Sequence, residues 1–199
     1  MQTENDRAAQ VPLWNLANII TMVRIALVPV FVLLMVPEST AARLAALAVF
    51  VGAAATDKLD GHIARSRGLV TSFGKIADPI ADKALVLGAL LVLWAEGTIP
   101  WWVPTVIIVR ELGITLMRLA MVRRAVMAAS NGGKLKTVLQ FSFIVGYLVP
   151  WSALLPGAAA DVVLGIVWWL MVIAVAVTVV TGLDYVVRAV RIARTPRTA

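Results

Sequence analysis

Residues 161–188, DVVLGIVWWLMVIAVAVTVVTGLDYVVR, make an apolar run whose charged residues stand only near its two ends. A helix crossing a bilayer needs about 20 mostly apolar residues, so this run is long enough to span one. Working back from it, five more stretches qualify, near 16–36, 41–64, 76–95, 100–122 and 135–155. The breaks between them carry helix-stop and helix-start chemistry. Pro37-Glu38-Ser39-Thr40 separates the first two, with Ser39 or Thr40 as an N-cap. Glu96-Gly97 and then Pro100 part the third from the fourth, and Ser130-Asn131-Gly132-Gly133 reads as a loop before the fifth. Pro156-Gly157 closes the fifth, and Asp161 opens the sixth with an acid suited to a helix N-terminus. The expected fold is all-α, an integral membrane bundle of six transmembrane helices over residues 16–190. A cytoplasmic or interfacial segment, 1–15, precedes it and a basic cytoplasmic tail, 191–199, follows.

Composition agrees. The chain is 61% hydrophobic and 15% charged, against about 45–50% and 25% in soluble domains, so the surplus apolar surface calls for lipid. There is no cysteine to form a disulfide, and the one histidine, His62, excludes a His-rich zinc site. Residues 1–11 lack the cationic lead into a short apolar core that marks a cleaved signal. The formal charge of +7 is informative by position rather than as a sign of nucleic acid, for which nothing else speaks. Lys58, Arg65, Arg67, Lys75 and Lys83 gather around the second connection. Arg118, Arg123, Arg124, Lys134 and Lys136 surround the fourth, and Arg188, Arg191, Arg194 and Arg197 form the tail. The opposite loops hold only Glu38, Arg43, Glu96 and Asp161. The positive-inside rule then puts both termini in the cytoplasm.

Four of the eleven acids lie in one segment. Asp57 and Asp60 are three residues apart on one expected helix, and Asp78 and Asp82 are four apart on the next, so each pair shares a helix face. The short connection lets the two faces meet near the cytoplasmic end. Converging carboxylates repel one another unless cations compensate them. Oxygen-only ligands suit Mg²⁺, Mn²⁺ or Ca²⁺, and a pair of such ions suits in-line displacement at phosphorus. Gly61 and Gly74 leave room beside the carboxylates for a bulky ligand. Ala64 either does the same or serves close helix packing.

Written out, Asp57-x2-Asp60-Gly61-x2-Ala64-Arg65-x8-Gly74-x3-Asp78-x3-Asp82 resembles the signature of the CDP-alcohol phosphotransferases, with every defined position present. The resemblance implies a six-span enzyme in the cell (inner or plasma) membrane, its active site facing the cytoplasm, that works with Mg²⁺ or Mn²⁺, two ions, as a homodimer. It implies that Asp57, Asp60, Asp78 and Asp82 are the metal site and that Asp82 is the catalytic base that deprotonates the attacking hydroxyl. Gly61, Ala64, Arg65 and Gly74 would surround the cytidine nucleotide, the acceptor oxygen would attack the lipid-bearing phosphorus, and CMP would leave.

Softer matches narrow the acceptor. Asn15, Asn18, Thr21 and Arg24 sit about one turn apart in the first span, a polar face expected to look into the bundle. That opening, the pair Arg110-Glu111 and the stretch Gly133-Lys134-Leu135-Lys136-Thr137-Val138-Leu139-Gln140 resemble bacterial phosphatidylglycerophosphate synthases. The resemblance implies CDP-diacylglycerol as donor and glycerol 3-phosphate as acceptor, with membrane lipids around the protein. Arg118, Lys134 and Lys136 are the cations expected at the acceptor phosphate, or else topology charges alone. Asn18, Thr21, Arg24, Arg110 and Gln140 are candidate polar lining, with Thr137 and Gln140 carrying the polar face inward. Arg110 and Glu111 are adjacent, so each is expected to find its partner elsewhere. The same aspartates also fit an inositol phosphate acceptor, or phosphatidylglycerol giving cardiolipin. Intramembrane acids mark cation transporters too, although here they cluster at one membrane end without an internal repeat.

Overall fold

The computed structural model describes residues 16–66, 72–121 and 131–194, with side chains described at 18–56, 81, 83–117 and 133–191. Among the described residues every element is helical. They are α1 (Leu16–Met35), α2 (Thr40–Ser66), α3 (Ser72–Ala95), α4 (Trp102–Met121), α5 (Asn131–Leu148), α6 (Trp151–Leu154) and α7 (Gly157–Arg194). α1 and α7 are long and apolar enough to cross a membrane, and shorter apolar stretches cover Thr40–Thr56 and Lys83–Ala95.

Each of the six apolar stretches carries a helix, and the shifted edges have local causes. Ser39 caps α2 as expected, its Oγ accepting from the Ala42 N–H at 3.1 Å. α3 ends on Gly97 at φ +74°, where Gly97 N–H reaches Trp94 O and Thr98 N–H reaches Leu93 O, each at 2.9 Å. This is the left-handed turn that closes a helix and that glycine adopts without a Cβ penalty. The fifth stretch departs from expectation at both ends. Asn131-Gly132-Gly133 lies in the first turn of α5 rather than in a loop, and the helix stops at Leu148, ahead of Pro150, not at Pro156-Gly157. Pro150 has no N–H for the next intrahelical bond and disfavours helix at the residue before it. The single turn of α6 follows, and Trp151 Nε1 donates to Gly146 O at 2.8 Å, satisfying a carbonyl near the end of α5. α7 begins at Gly157, so Asp161 falls in its second turn instead of at its start.

The chain groups into two compact units, one of residues up to Val92 with Leu148–Pro150, the other of Leu93–Tyr147 with Trp151 onward. In the first, α1 packs on α2, and Phe31 meets Phe50 with ring centroids 5.9 Å apart. Ala46, Phe50 and Ala53 form a buried stripe at helical spacing on α2, as Ala81, Leu85 and Ala89 do on α3. Gly88 of α3 lies against α1, where a Cβ would touch Val28 Cγ1 at 3.4 Å.

In the second unit α4 packs along α7, and α5 meets α7 at a tighter point. A Cβ at Gly146 would stand 2.7 Å from Val167 Cγ2 and 2.9 Å from Cγ1, and Val167 is itself buried. Gly146→Ala is therefore expected to cost about 1–3 kcal/mol through overpacking. Unfolding in mixed micelles measures it, and Val167→Ala in the same chain should return most of the loss. Outward, α7 shows Val162, Ile166, Trp169, Ile173, Val180 and Leu183, an apolar face that lipid accepts. Its threonines do not disturb that face: Thr178 and Thr181 each donate to the carbonyl four residues back, at 2.7 Å.

Candidate active site

The aspartate motif rides on two helices of the first unit. α2 continues unbroken through Asp57, Asp60, Gly61, Ala64 and Arg65 to Ser66, and α3 carries Gly74, Asp78 and Asp82 in its first three turns. Helical backbone at these positions gives each pair of aspartates the three- or four-residue register at which two positions share a helix face. The side chains of these eight residues lie outside the described ones, as does that of Arg118 on α4. Among the described residues no group of three or more His, Cys, Asp or Glu is positioned to hold a metal ion.

The polar face of α1 is buried. Asn18, Thr21 and Arg24 keep 2%, 1% and 2% of their surface, while Ile19, Val23 and Ile25 are exposed. A helix that turns three polar residues inward and its aliphatic residues outward has inverted the ordinary pattern, as lipid-facing helices do. Asn15 lies outside the described residues.

In the second unit, α4 and α5 bring together Arg110, Glu111 and Lys136. Glu111 Oε1 accepts from Arg110 Nη1 at 2.9 Å and also from Lys136 Nζ. This corrects the expectation that the adjacent pair would not meet. Their Cβ atoms do point about 100° apart around the helix, but the arginine side chain is long enough to fold back onto its neighbour. Glu111 has the second partner expected of it, and that partner stands 25 positions away. The sequence offered one clue: Ile107, Ile108, Ile114 and Thr115, the neighbours of Glu111 on its own helix, give it no cation. The partner had to come from another helix.

The two lysines of α5 part company. Lys136 and Gln140, one turn apart, are buried, whereas Lys134 and Thr137 are exposed. Residues two apart on a helix differ by about 200° around its axis, so Lys134 and Lys136 cannot share a face. Thr137 does not extend the buried polar face, because its hydroxyl donates back to Gly133 O at 3.0 Å. Late in α7, Asp184 faces outward and pairs with Arg188 (2.9 Å), while Tyr185 is buried.

Comparison with known proteins agrees with the motif. The family model described as CDP-alcohol phosphatidyltransferase matches residues 14–180. A Mycobacterium tuberculosis protein named probable phosphatidylglycerophosphate synthase is 47% identical over 180 residues, covering 89% of this chain and 82% of the relative. The Bacillus subtilis CDP-diacylglycerol–glycerol-3-phosphate 3-phosphatidyltransferase is 38% identical over 189 residues, 87% of this chain and 94% of its own. Its namesake in Rickettsia bellii is 39% identical over 173 residues, 86% and 93%. With the match running from the start of α1 into the last helix and across every motif aspartate, the chain belongs to the CDP-alcohol phosphatidyltransferase family.

Proposed function

We propose that this membrane enzyme transfers the phosphatidyl group of CDP-diacylglycerol to glycerol 3-phosphate, giving phosphatidylglycerol phosphate and CMP. The observation that carries the reading is the complete aspartate motif on two unbroken helices, within a chain whose relatives carry that activity in their names. Asp57, Asp60, Asp78 and Asp82 would hold divalent metal, Mg²⁺ or Mn²⁺ and two ions. An all-carboxylate donor set in which each pair shares a helix face fits such hard cations. When bound, the metal supplies positive charge to the phosphoryl oxygens and to the attacking hydroxyl.

The chain's own residues do the rest. Asp82 takes the proton of the acceptor hydroxyl, whose oxygen forms the new bond to the lipid-bearing phosphorus. The bond from that phosphorus to the bridging oxygen breaks, and CMP leaves with the electron pair. Gly61, Ala64, Arg65 and Gly74 surround the nucleotide. Arg118 and Lys136 hold the acceptor's phosphate, Lys134, exposed on the other side of α5, serves as a topology charge, and Asn18, Thr21, Arg24, Arg110 and Gln140 line the polar interior. Six spans cross the cell membrane, both termini and the site lie on the cytoplasmic side, and the enzyme works as a homodimer. The alternation of basic and near-neutral loops supports the orientation.

The test is CMP release by purified protein in detergent. It is given CDP-diacylglycerol and Mg²⁺ or Mn²⁺, with glycerol 3-phosphate, inositol phosphate, phosphatidylglycerol or no acceptor. Release that requires both metal and glycerol 3-phosphate is the expected result. Release with another acceptor would overturn the acceptor assignment while keeping the aspartate chemistry, and no release with any acceptor would overturn the reaction.

A further inference from the structure

Arg110, Glu111 and Lys136 are a charged cluster with little access to solvent, their side chains 15%, 15% and 8% exposed. One carboxylate oxygen serves both cations, so the three groups together carry a single positive charge. Charge of that kind inside apolar surroundings is costly and is kept where it has a task. The cluster also has an unspent donor. Arg110 Nε is buried and has no hydrogen-bond partner among the described residues. The helix facing it, α7, packs closely on the arginine stem, which it can do because Gly182 carries no side chain: a Cβ there would sit 3.2 Å from Arg110 Cγ and 3.8 Å from Nε. A buried guanidinium N–H without an acceptor, beside a position lacking a side chain, suits an oxyanion oxygen.

We infer that Glu111 is a positioning residue for a phosphate group of one substrate. It ties Arg110 Nη1 and Lys136 Nζ to one oxygen, which fixes the plane of the guanidinium and leaves its Nε–H for a phosphate oxygen. Both substrates of the proposed reaction carry phosphate, and the inference rests on that reading. Glu111 touches no reacting atom. Its effect passes through Arg110 and Lys136, and Gly182 contributes by carrying no side chain that would push the Arg110 stem aside.

The experiment compares the full chain with Glu111→Gln, Glu111→Asp and Gly182→Ala, measuring kcat and both KM values by CMP release. Thermal midpoints are measured with and without glycerol 3-phosphate or CDP-diacylglycerol. Glu111→Gln should raise one KM about tenfold or more, the scale of a lost charge-assisted hydrogen bond, and lower kcat by less. Glu111→Asp should recover part of it, and Gly182→Ala, which alters no charge, should move the same KM in the same direction. A rise confined to glycerol 3-phosphate assigns the acceptor's phosphate, and one confined to CDP-diacylglycerol assigns the donor's pyrophosphate. Both KM values within about twofold of wild type, with kcat falling in step with the thermal midpoint, would mark the cluster as structural and overturn the proposal. The ligand-induced midpoint shift is read without turnover. If the wild-type protein releases no CMP but one phosphate compound stabilises it, and Glu111→Gln abolishes that, the reaction fails and the positioning role stands. No stabilisation of an inactive wild type by either compound overturns both.

Discussion

Asp82→Asn is expected to lower CMP release by about 10²- to 10⁴-fold, the range for removing a general base. Asparagine keeps the shape of the side chain and removes both its charge and its capacity to take a proton. The fold should not suffer. In the proposed site, four carboxylates gathered without metal would repel one another. Taking one away relieves the repulsion, and in chelator the thermal midpoint of Asp82→Asn should equal or exceed that of the wild type. With Mg²⁺ or Mn²⁺ the order should reverse, because a ligand bound only by the folded state raises its stability by mass action. Lost activity with an unchanged metal-induced shift would separate the base role of Asp82 from metal binding. Retained activity would remove Asp82 from the mechanism altogether.

The largest expected effect on stability is at Lys136. Lys136→Met removes one cation from a carboxylate that is mostly buried, and breaking such a pair from one side costs about 3–5 kcal/mol. Arg110 remains on the same oxygen, so the lower end of that range, about 3 kcal/mol, is expected. Unfolding in mixed micelles measures it, with Glu111→Gln and the double variant completing a cycle. The double variant should be more stable than the sum of the single losses implies, because Glu111 and Lys136 no longer strand each other and only Arg110 is left without its carboxylate. A loss under about 0.5 kcal/mol for Lys136→Met would mean that the pair behaves as a surface ion pair does.

These two sites differ in how well the amino-acid order discloses them. The aspartates are close in sequence, so spacing alone predicts that each pair shares a face, and α2 and α3 are helical through Asp57–Asp60 and Asp78–Asp82. The Glu111–Lys136 pair joins two helices whose relative rotation no local pattern encodes. Periodicity could say that Glu111 lacked a partner on α4, but not which cation would meet it. Adjacency misled at Arg110 for a different reason: the rule that neighbours on a helix diverge holds for Cβ atoms and fails for a side chain as long as arginine. Helix ends show the same division. Ser39 and Gly97 act through their own backbone neighbourhood and were legible. Pro150 and Pro156 both carry stop chemistry, and only the structure distinguishes the one that ends α5 from the one that precedes α7.

The length of α7 has a mechanical consequence. At about 1.5 Å per residue its 38 residues make a rod about 57 Å long, almost twice the roughly 30 Å depth of bilayer hydrocarbon. The uncharged portion from Val162 to Leu183 is about 33 Å by the same rise, close to that depth. Asp161 at one end and the Asp184–Arg188 pair at the other bracket that stretch as charged stops, so its length is matched to the bilayer without mismatch to relieve. Beyond the second stop the helix stays wound to Arg194, so that Arg191 extends along a stiff strut.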